Sequence, residues 1–205
     1  MFMTEKVLFF GKWGSEDVKI RDISLQKYLD LKPKHVPHTF GRSTRKRFSK
    51  GKMNLVERLV NKVMRSGQGK RKLSGKYIRG RGVCGKKILA LKIVEEAFDI
   101  VEQETKENPI QVLIRAIENA APREDITRIQ KGGVAYTLSV DVSPLKRIDE
   151  SLKNIALAAF ALSFSKKISA REALAKELIL TAKNDPASYS LKRKDEIERI
   201  AVSSR

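Results

Sequence analysis

The chain has 205 residues, 41% of them hydrophobic, so it is long enough for one domain with extensions and apolar enough to build a core, which excludes wholesale disorder. Its 43 Lys and Arg against 24 Asp and Glu give a net charge of +19, which points to a polyanionic partner, either nucleic acid or an anionic membrane surface. No run of about 18 apolar residues is present, the first residues lack the h-region of a signal peptide, and the single cysteine, Cys84, leaves no intramolecular disulfide and no cysteine-rich zinc site, so a cytosolic setting is expected.

Residues 1–30 hold five basic and five acidic side chains. Lys6 to Phe10 read as a short strand broken by Gly11 and Gly14, and Ser24 to Leu29 as a short helix. Residues 1–31 are therefore expected to form an extension packed on a main domain spanning 32–205. Residues 31–94 then hold twenty basic side chains and one acid, Glu57, for a net of +19. Residues 95–205 hold eighteen of each. One third of the chain carries the entire excess, a segment that repels itself unless a partner supplies phosphates and releases its counterions. A solvated basic face or a membrane-surface segment are the blander alternatives. The helices that begin inside the segment have broad apolar faces suited to a core and lack the aromatic stripe of an interfacial helix.

Residues 32–52 read as a basic arm, because Pro33, Pro37, Gly41 and Gly51 disfavour regular structure. Phe40 and Phe48 interleave there with Arg42, Arg45, Lys46, Arg47, Lys50 and Lys52, a pattern suited to pairing phosphates and stacking on bases. His35 and His38 also lie in this stretch and read better as loop or RNA-contacting residues than as metal ligands. A helix follows at about 54–66, with Asn54 as its cap and Glu57 as capping-box partner. Its apolar face runs through Leu55, Val56, Leu59, Val60, Val63 and Met64, and Arg58, Lys62 and Arg65 are expected to form a positive stripe on the other side. Residues 67–85 read as a flexible basic loop containing Lys70, Arg71, Lys72, Lys76, Arg79 and Arg81.

Lys86 and Lys87 open a long helix to about residue 105, whose face of Ile88, Leu91, Val94, Phe98 and Val101, widened by Leu89 and Ile93, predicts a central core position. Asn108 and Pro109 start a further helix, which Pro122 closes. Between 123 and 142 the period changes to that of a β-hairpin turning at Gly132-Gly133, with Arg123, Arg128 and Lys131 expected towards its tip. Three helices finish the chain: one after Ser143 and Pro144 to about 163, one with a Ser169–Glu172 capping box, and one at about 190–202 with Ile197 and Ile200 inward. Lys192, Arg193 and Lys194 sit at the N-terminal end of the last, against its dipole, where an external anion would relieve them. The fold class is thus mainly α: a six-helix bundle with a protruding β-hairpin, a basic N-terminal arm and an extension.

Catalytic readings fare poorly. Gly80 to Lys87 nearly matches a phosphate-binding loop, yet Lys87 stands where Ser or Thr must hold magnesium, and no buried strand precedes it. Cys84 has no histidine nearby in sequence. Glu95-Glu96, Asp149-Glu150 and Glu196 with Glu198 all have cations within helical reach and read as solvated faces. No enzyme, cofactor or small-molecule substrate is expected.

The stretches NPIQVL (108–113), PRED (122–125), GGVAY (132–136) and VDVSPLKR (140–147) resemble those of the small-subunit ribosomal protein S-seven family. GKW (11–13), GRSTRKRF (41–48) and KDEIERIA (194–201) agree, and the first of these resembles the archaeal and eukaryotic branch. The resemblance implies a cytoplasmic, ribosome-bound primary binder of the 3′ major domain of small-subunit rRNA that nucleates the head. It places the hairpin and carboxy-terminal end, including Arg205, near the messenger RNA exit and the exit-site tRNA, with other small-subunit proteins as neighbours. It also implies rRNA contacts from the arm, from Arg58, Lys62 and Arg65, and from the hairpin cations, with Lys146 and Arg147 within a matched motif. Residues 68–84 are longer and richer in Gly and Arg than the family pattern, and extra phosphate contacts are expected there.

Overall fold

Asn54 begins the first long helix, Leu55–Met64 (α2), by accepting the Val56 N–H on its side chain at 2.9 Å, which satisfies one donor of the first turn. The computed structural model describes residues 7–41, 48–67, 71–73, 76–78 and 85–205, with the backbone alone for 71–73, 76–78 and 131. Among these residues the other helices are Ile23–Gln26 (α1), Lys87–Thr105 (α3), Pro109–Ala120 (α4), Pro144–Ser163 (α5), Ala170–Ala182 (α6) and Tyr189–Val202 (α7). The mainly helical fold with a projecting hairpin is as the sequence predicts.

The expected starts of α4 and α6 are present. Asn108 accepts the Ile110 N–H with Pro109 at the first position, and Ser169 and Glu172 form a reciprocal capping box. Replacing Ser169 with Ala is expected to cost about 1 kcal/mol, read as a fall of about 2–4 °C in melting temperature. Ser188 caps α7, and the buried Glu177 of α6 accepts from the Ser188 hydroxyl at 2.8 Å and from the Ser190 N–H and hydroxyl at 2.9 and 2.7 Å. One carboxylate thereby joins two helices.

The core gathers Leu55, Leu59 and Val60 of α2, Val94, Phe98 and Val101 of α3, Ile110, Leu113, Ile114 and Ile117 of α4, Ile148, Leu152 and Ile155 of α5, and Leu174 and Leu178 of α6. The extension joins it. Phe9, Trp13, Leu25 and Leu29 are buried, with the Trp13 ring edge-on to Phe98 at 5.7 Å and its N–H donating to Glu102 at 3.0 Å. The expected strand near residue 7 is reduced, among the described residues, to one bridge between Phe9 and Trp13, because Gly11 at φ 74° turns the chain back at once.

Two predicted faces and one predicted loop need correction. Ile88 and Leu89 are exposed, since the first turn of α3 runs past the core, which it meets from Ala90 onward. On α7 the buried residues are Ser190, Leu191 and Ala201; Ile197 is half-buried and Ile200 exposed. Within the expected loop, Arg71–Leu73 (β1) pairs antiparallel with Lys76–Ile78 (β2).

The larger hairpin pairs Glu124–Lys131 (β3) with Val134–Asp141 (β4), and both turn glycines, Gly132 and Gly133, have positive φ, the conformation a two-residue hairpin turn requires. Its register puts Asp125, Thr127, Ile129, Lys131, Val134, Tyr136, Leu138 and Val140 on one, mostly apolar face, and Glu124, Ile126, Arg128, Gln130, Ala135, Thr137, Ser139 and Asp141 on the other. The apolar face is uncovered: Ile129, Tyr136, Leu138 and Val140 are all exposed. Among the described residues its side-chain ties to the bundle lie at the root: the Arg123 N–H donates to Glu198 at 2.8 Å, Lys146 pairs with Asp125 and Arg205 pairs with Glu124.

Candidate nucleic-acid interface

The basic third enters α2 through a set of local ties. The Leu55 N–H donates to the Asp30 carbonyl at 3.0 Å, and the Asn54 side chain donates to the Lys32 carbonyl at 2.6 Å. Ser49–Lys52 then form a 3-10 turn directly before α2. Gly51 packs closely there, since a Cβ would meet the Tyr28 ring at 3.3 Å.

Glu57, the one acid of the segment, is fully buried. Its Oε1 accepts from the Thr39 N–H at 2.7 Å, the Thr39 hydroxyl at 2.9 Å and the Lys87 ammonium at 2.6 Å, and its Oε2 has no partner among the described residues. It does not complete a capping box with Asn54, as expected from spacing. It ties the arm to the start of α3 instead. Lys87, predicted as a phosphate contact, is therefore an internal ion pair.

Arg58 is the second correction. It is 2% exposed; its guanidinium donates to the Tyr28 carbonyl at 3.1 Å and to Asp149 at 3.2 Å. Lys50 also pairs with Asp149, and Lys62 approaches it at 3.8 Å. The expected stripe of Arg58, Lys62 and Arg65 is thus divided: Arg58 faces inward, Lys62 stands at the boundary and Arg65 is exposed. Burial lowers the Lys62 pKa; Asp149 opposes this, and Lys50 repulsion adds to it. An ammonium so placed gains from any anion that approaches. Lys62 and Lys146 line one concavity of about 340 Å³ with Tyr28, Phe48 and Asp149, and Lys146 pairs with Asp125 at 2.6 Å.

Arg147 likewise faces inward, donating to Asp22 at 2.9 Å and to the Ser24 hydroxyl at 2.7 Å, which fastens the extension to α5. At α7, Arg193 pairs with Glu196, while Lys192 and Lys194 have no acidic partner among the described residues. Arg123 sits at the root of the hairpin, not its tip; Arg128 is exposed mid-strand and Lys131 adjoins the turn. Arg42, Arg45, Lys46, Arg47, Lys70, Arg79, Arg81 and Cys84 lie outside the described residues, as do the side chains of Arg71, Lys72 and Lys76.

Ten cations of residues 31–94 have described side chains. Lys50, Arg58, Lys62 and Lys87 share the two carboxylates of Glu57 and Asp149. Lys32, Lys34, Lys52, Arg65, Lys86 and Lys92 have no acidic partner among the described residues. Gly67 and Lys86 line the same groove, so the segment between α2 and α3 departs and returns at one place. Sequence reasoning did not single out Lys34 as a contact and left His38 a general one, yet both lie beside Phe40 in the arm. Their membership of the unbalanced segment was the available signal.

Among the described residues no helix is long and apolar enough to cross a membrane, and no cluster of three or more His, Cys, Asp or Glu stands ready for a metal ion. The family model described as Ribosomal protein S7p/S5e matches residues 25–205. The chain therefore belongs to the S7p/S5e family, the structural, rRNA-binding proteins of the small ribosomal subunit.

Proposed function

We propose that this chain is a primary binder of the 3′ major domain of small-subunit rRNA, that it nucleates assembly of the head, and that it is of the archaeal and eukaryotic type. In this reading residues 1–31 are an extension and 32–205 the helical S7-type domain, with the hairpin and carboxy-terminal end beside the messenger RNA exit and the exit-site tRNA. The observation that carries it is the charge partition. All of the +19 lies in residues 31–94, and the scaffold around it neutralises only part, leaving six described cations without acids. The ties from Arg205 and Glu198 to the hairpin root support a shared location for those two elements.

The rRNA contacts in this proposal are the arm (Arg42, Arg45, Lys46, Arg47, Lys52), the edge of α2 (Lys62, Arg65), the segment with Lys70, Arg71, Lys72, Lys76, Arg79, Arg81 and Lys86, the hairpin (Arg123, Arg128, Lys131) and the start of α7 (Lys192, Lys194). Phosphate contacts position such a protein, and RNA shape and unpaired loops supply most of its selectivity. A hydroxyl-radical footprint of the full chain on small-subunit rRNA tests the placement. Protection confined to the 3′ major domain is expected, and protection elsewhere would sink it. The double substitution Lys62→Ala/Arg65→Ala is expected to reduce the slope of log affinity against log salt by roughly 0.7–0.9 for each phosphate no longer neutralised. An unchanged slope would remove α2 from the RNA-binding surface.

A further inference from the structure

Lys34, His38, Phe40, Ser49, Lys52 and Met53 line a concavity of about 520 Å³ on the arm. Phe40 stands in it unusually. A large apolar ring is normally driven inward, yet this residue is 76% exposed. It is also held at φ 50°, a left-handed conformation rarely adopted by bulky residues, with Gly41 following at φ 73°. Strain of this kind persists where surrounding contacts impose it and collects at ligand-binding positions.

Two contacts impose it here. The Phe40 N–H donates to His38 Nδ1 at 2.9 Å, which leaves the proton of the neutral imidazole on Nε2. The two rings are stacked, with centroids 4.2 Å apart and an interplanar angle of 29°. Thr39 between them is anchored to the buried Glu57 through both its N–H and its hydroxyl. The ring is therefore backed by a second ring, fixed from beneath, and turned to solvent.

The electrostatic setting is one-sided. Lys34 and Lys52 flank the platform without an acidic partner among the described residues, and no carboxylate of those residues lines the concavity. An aromatic face between two free ammonium groups matches one ligand chemistry closely: a base that has left its stack, with phosphates on either side. A protein partner would need an acidic segment carrying its own flat ring. The RNA to which this family binds already offers both.

We propose that the His38–Phe40 platform receives one unstacked nucleotide of the ribosomal RNA, its base on the Phe40 ring and its flanking phosphates on Lys34 and Lys52. This rests on the rRNA-binding assignment and adds a specific contact to it. Because every base has a π-face, the site reads that a nucleotide is extruded more than which nucleotide it is.

The test uses the full chain and transcribed small-subunit rRNA, with dissociation constants measured by filter binding across a salt series. Phe40→Ala is expected to weaken binding about 5- to 150-fold, the range of base stacking on an aromatic side chain, with an unchanged salt slope and an unchanged melting temperature. Phe40→Trp is expected to bind as the unaltered chain does. Lys34→Ala/Lys52→Ala is expected to lower the slope by about 1.4, from roughly 0.7 per phosphate on a single strand. Phe40→Ala binding as tightly as the unaltered chain, or Phe40→Trp binding as weakly as Phe40→Ala, would overturn the platform while leaving rRNA binding intact. Failure of the unaltered chain to bind the transcript would overturn the rRNA reading itself.

Discussion

Glu57→Ala is expected to lower the melting temperature by about 6–20 °C, from roughly 3–5 kcal/mol for breaking a buried ion pair and about 2–4 °C per kcal/mol in a chain of this size. The reason lies in what the carboxylate holds. Its removal strands the Lys87 ammonium, whose side chain is 15% exposed, and takes the acceptor from both Thr39 donors. It also removes the only acid among residues 31–94, raising their charge from +19 to +20. The arm is thereby released from the start of α3, so rRNA affinity should fall with stability. Glu57→Gln, which keeps an acceptor for Thr39 but not the charge opposite Lys87, is expected to recover part of the deficit. Thermal melts of both variants check this; an Ala variant as stable as the unaltered chain would refute it.

Asp149→Asn is expected to cost a comparable amount, about 3–5 kcal/mol, because it leaves the enclosed Arg58 guanidinium without its counter-charge and removes the partner shared by Lys50 and Lys62. The deficit should shrink in acid. Burial pushes the Asp149 carboxyl upward, but the Lys50 hydrogen bond and the charges of Lys62 and Arg58 together outweigh it, so the group titrates below the ordinary range. A carboxylate with a depressed folded value contributes its stability above the unfolded value of about 4 and loses it as pH falls through the folded one. The difference in melting temperature between the two proteins should therefore be full at neutral pH and narrow below about pH 4. A constant difference down to pH 3 would refute the assignment. Asp22 and Asp125 are depressed as well, so the unaltered chain alone does not isolate this residue. Adding Arg58→Met to Asp149→Asn should restore part of the stability, since it removes the enclosed cation that the first substitution leaves without a counter-charge.

Sequence reading succeeded where one local rule decided the outcome. Asn108 and Pro109 mark the start of α4, Ser169 and Glu172 that of α6, and Gly132-Gly133 the hairpin turn, each through contacts within a few residues. It failed where a distant element covers a face that periodicity assigns to solvent. Leu55 to Val60 of α2 are buried without a gap, because α5 and the extension close over Arg58 while the arm and the start of α3 close over Glu57. Nothing in the spacing of Arg58, Lys62 and Arg65 reveals that Asp149, ninety-one residues after Arg58, turns one of them inward. The converse error also occurs: Ile88 continues an apolar pattern past the end of the surface that would bury it, and on α7 the buried side carries Ala201 while Ile200 is exposed.

The β3–β4 ribbon extends for eight residues per strand, about 27 Å, and its side-chain ties to the bundle lie, among the described residues, at its root. Its uncovered apolar face and two open backbone edges are what a neighbouring chain needs for edge pairing. A copy made in excess of its RNA thus carries a self-adhesive tongue as well as an unscreened cationic segment. Surplus synthesis is consequently a proteostatic hazard inherent in this architecture, and the solubility of the free chain should improve when the Tyr136 and Leu138 face is made polar.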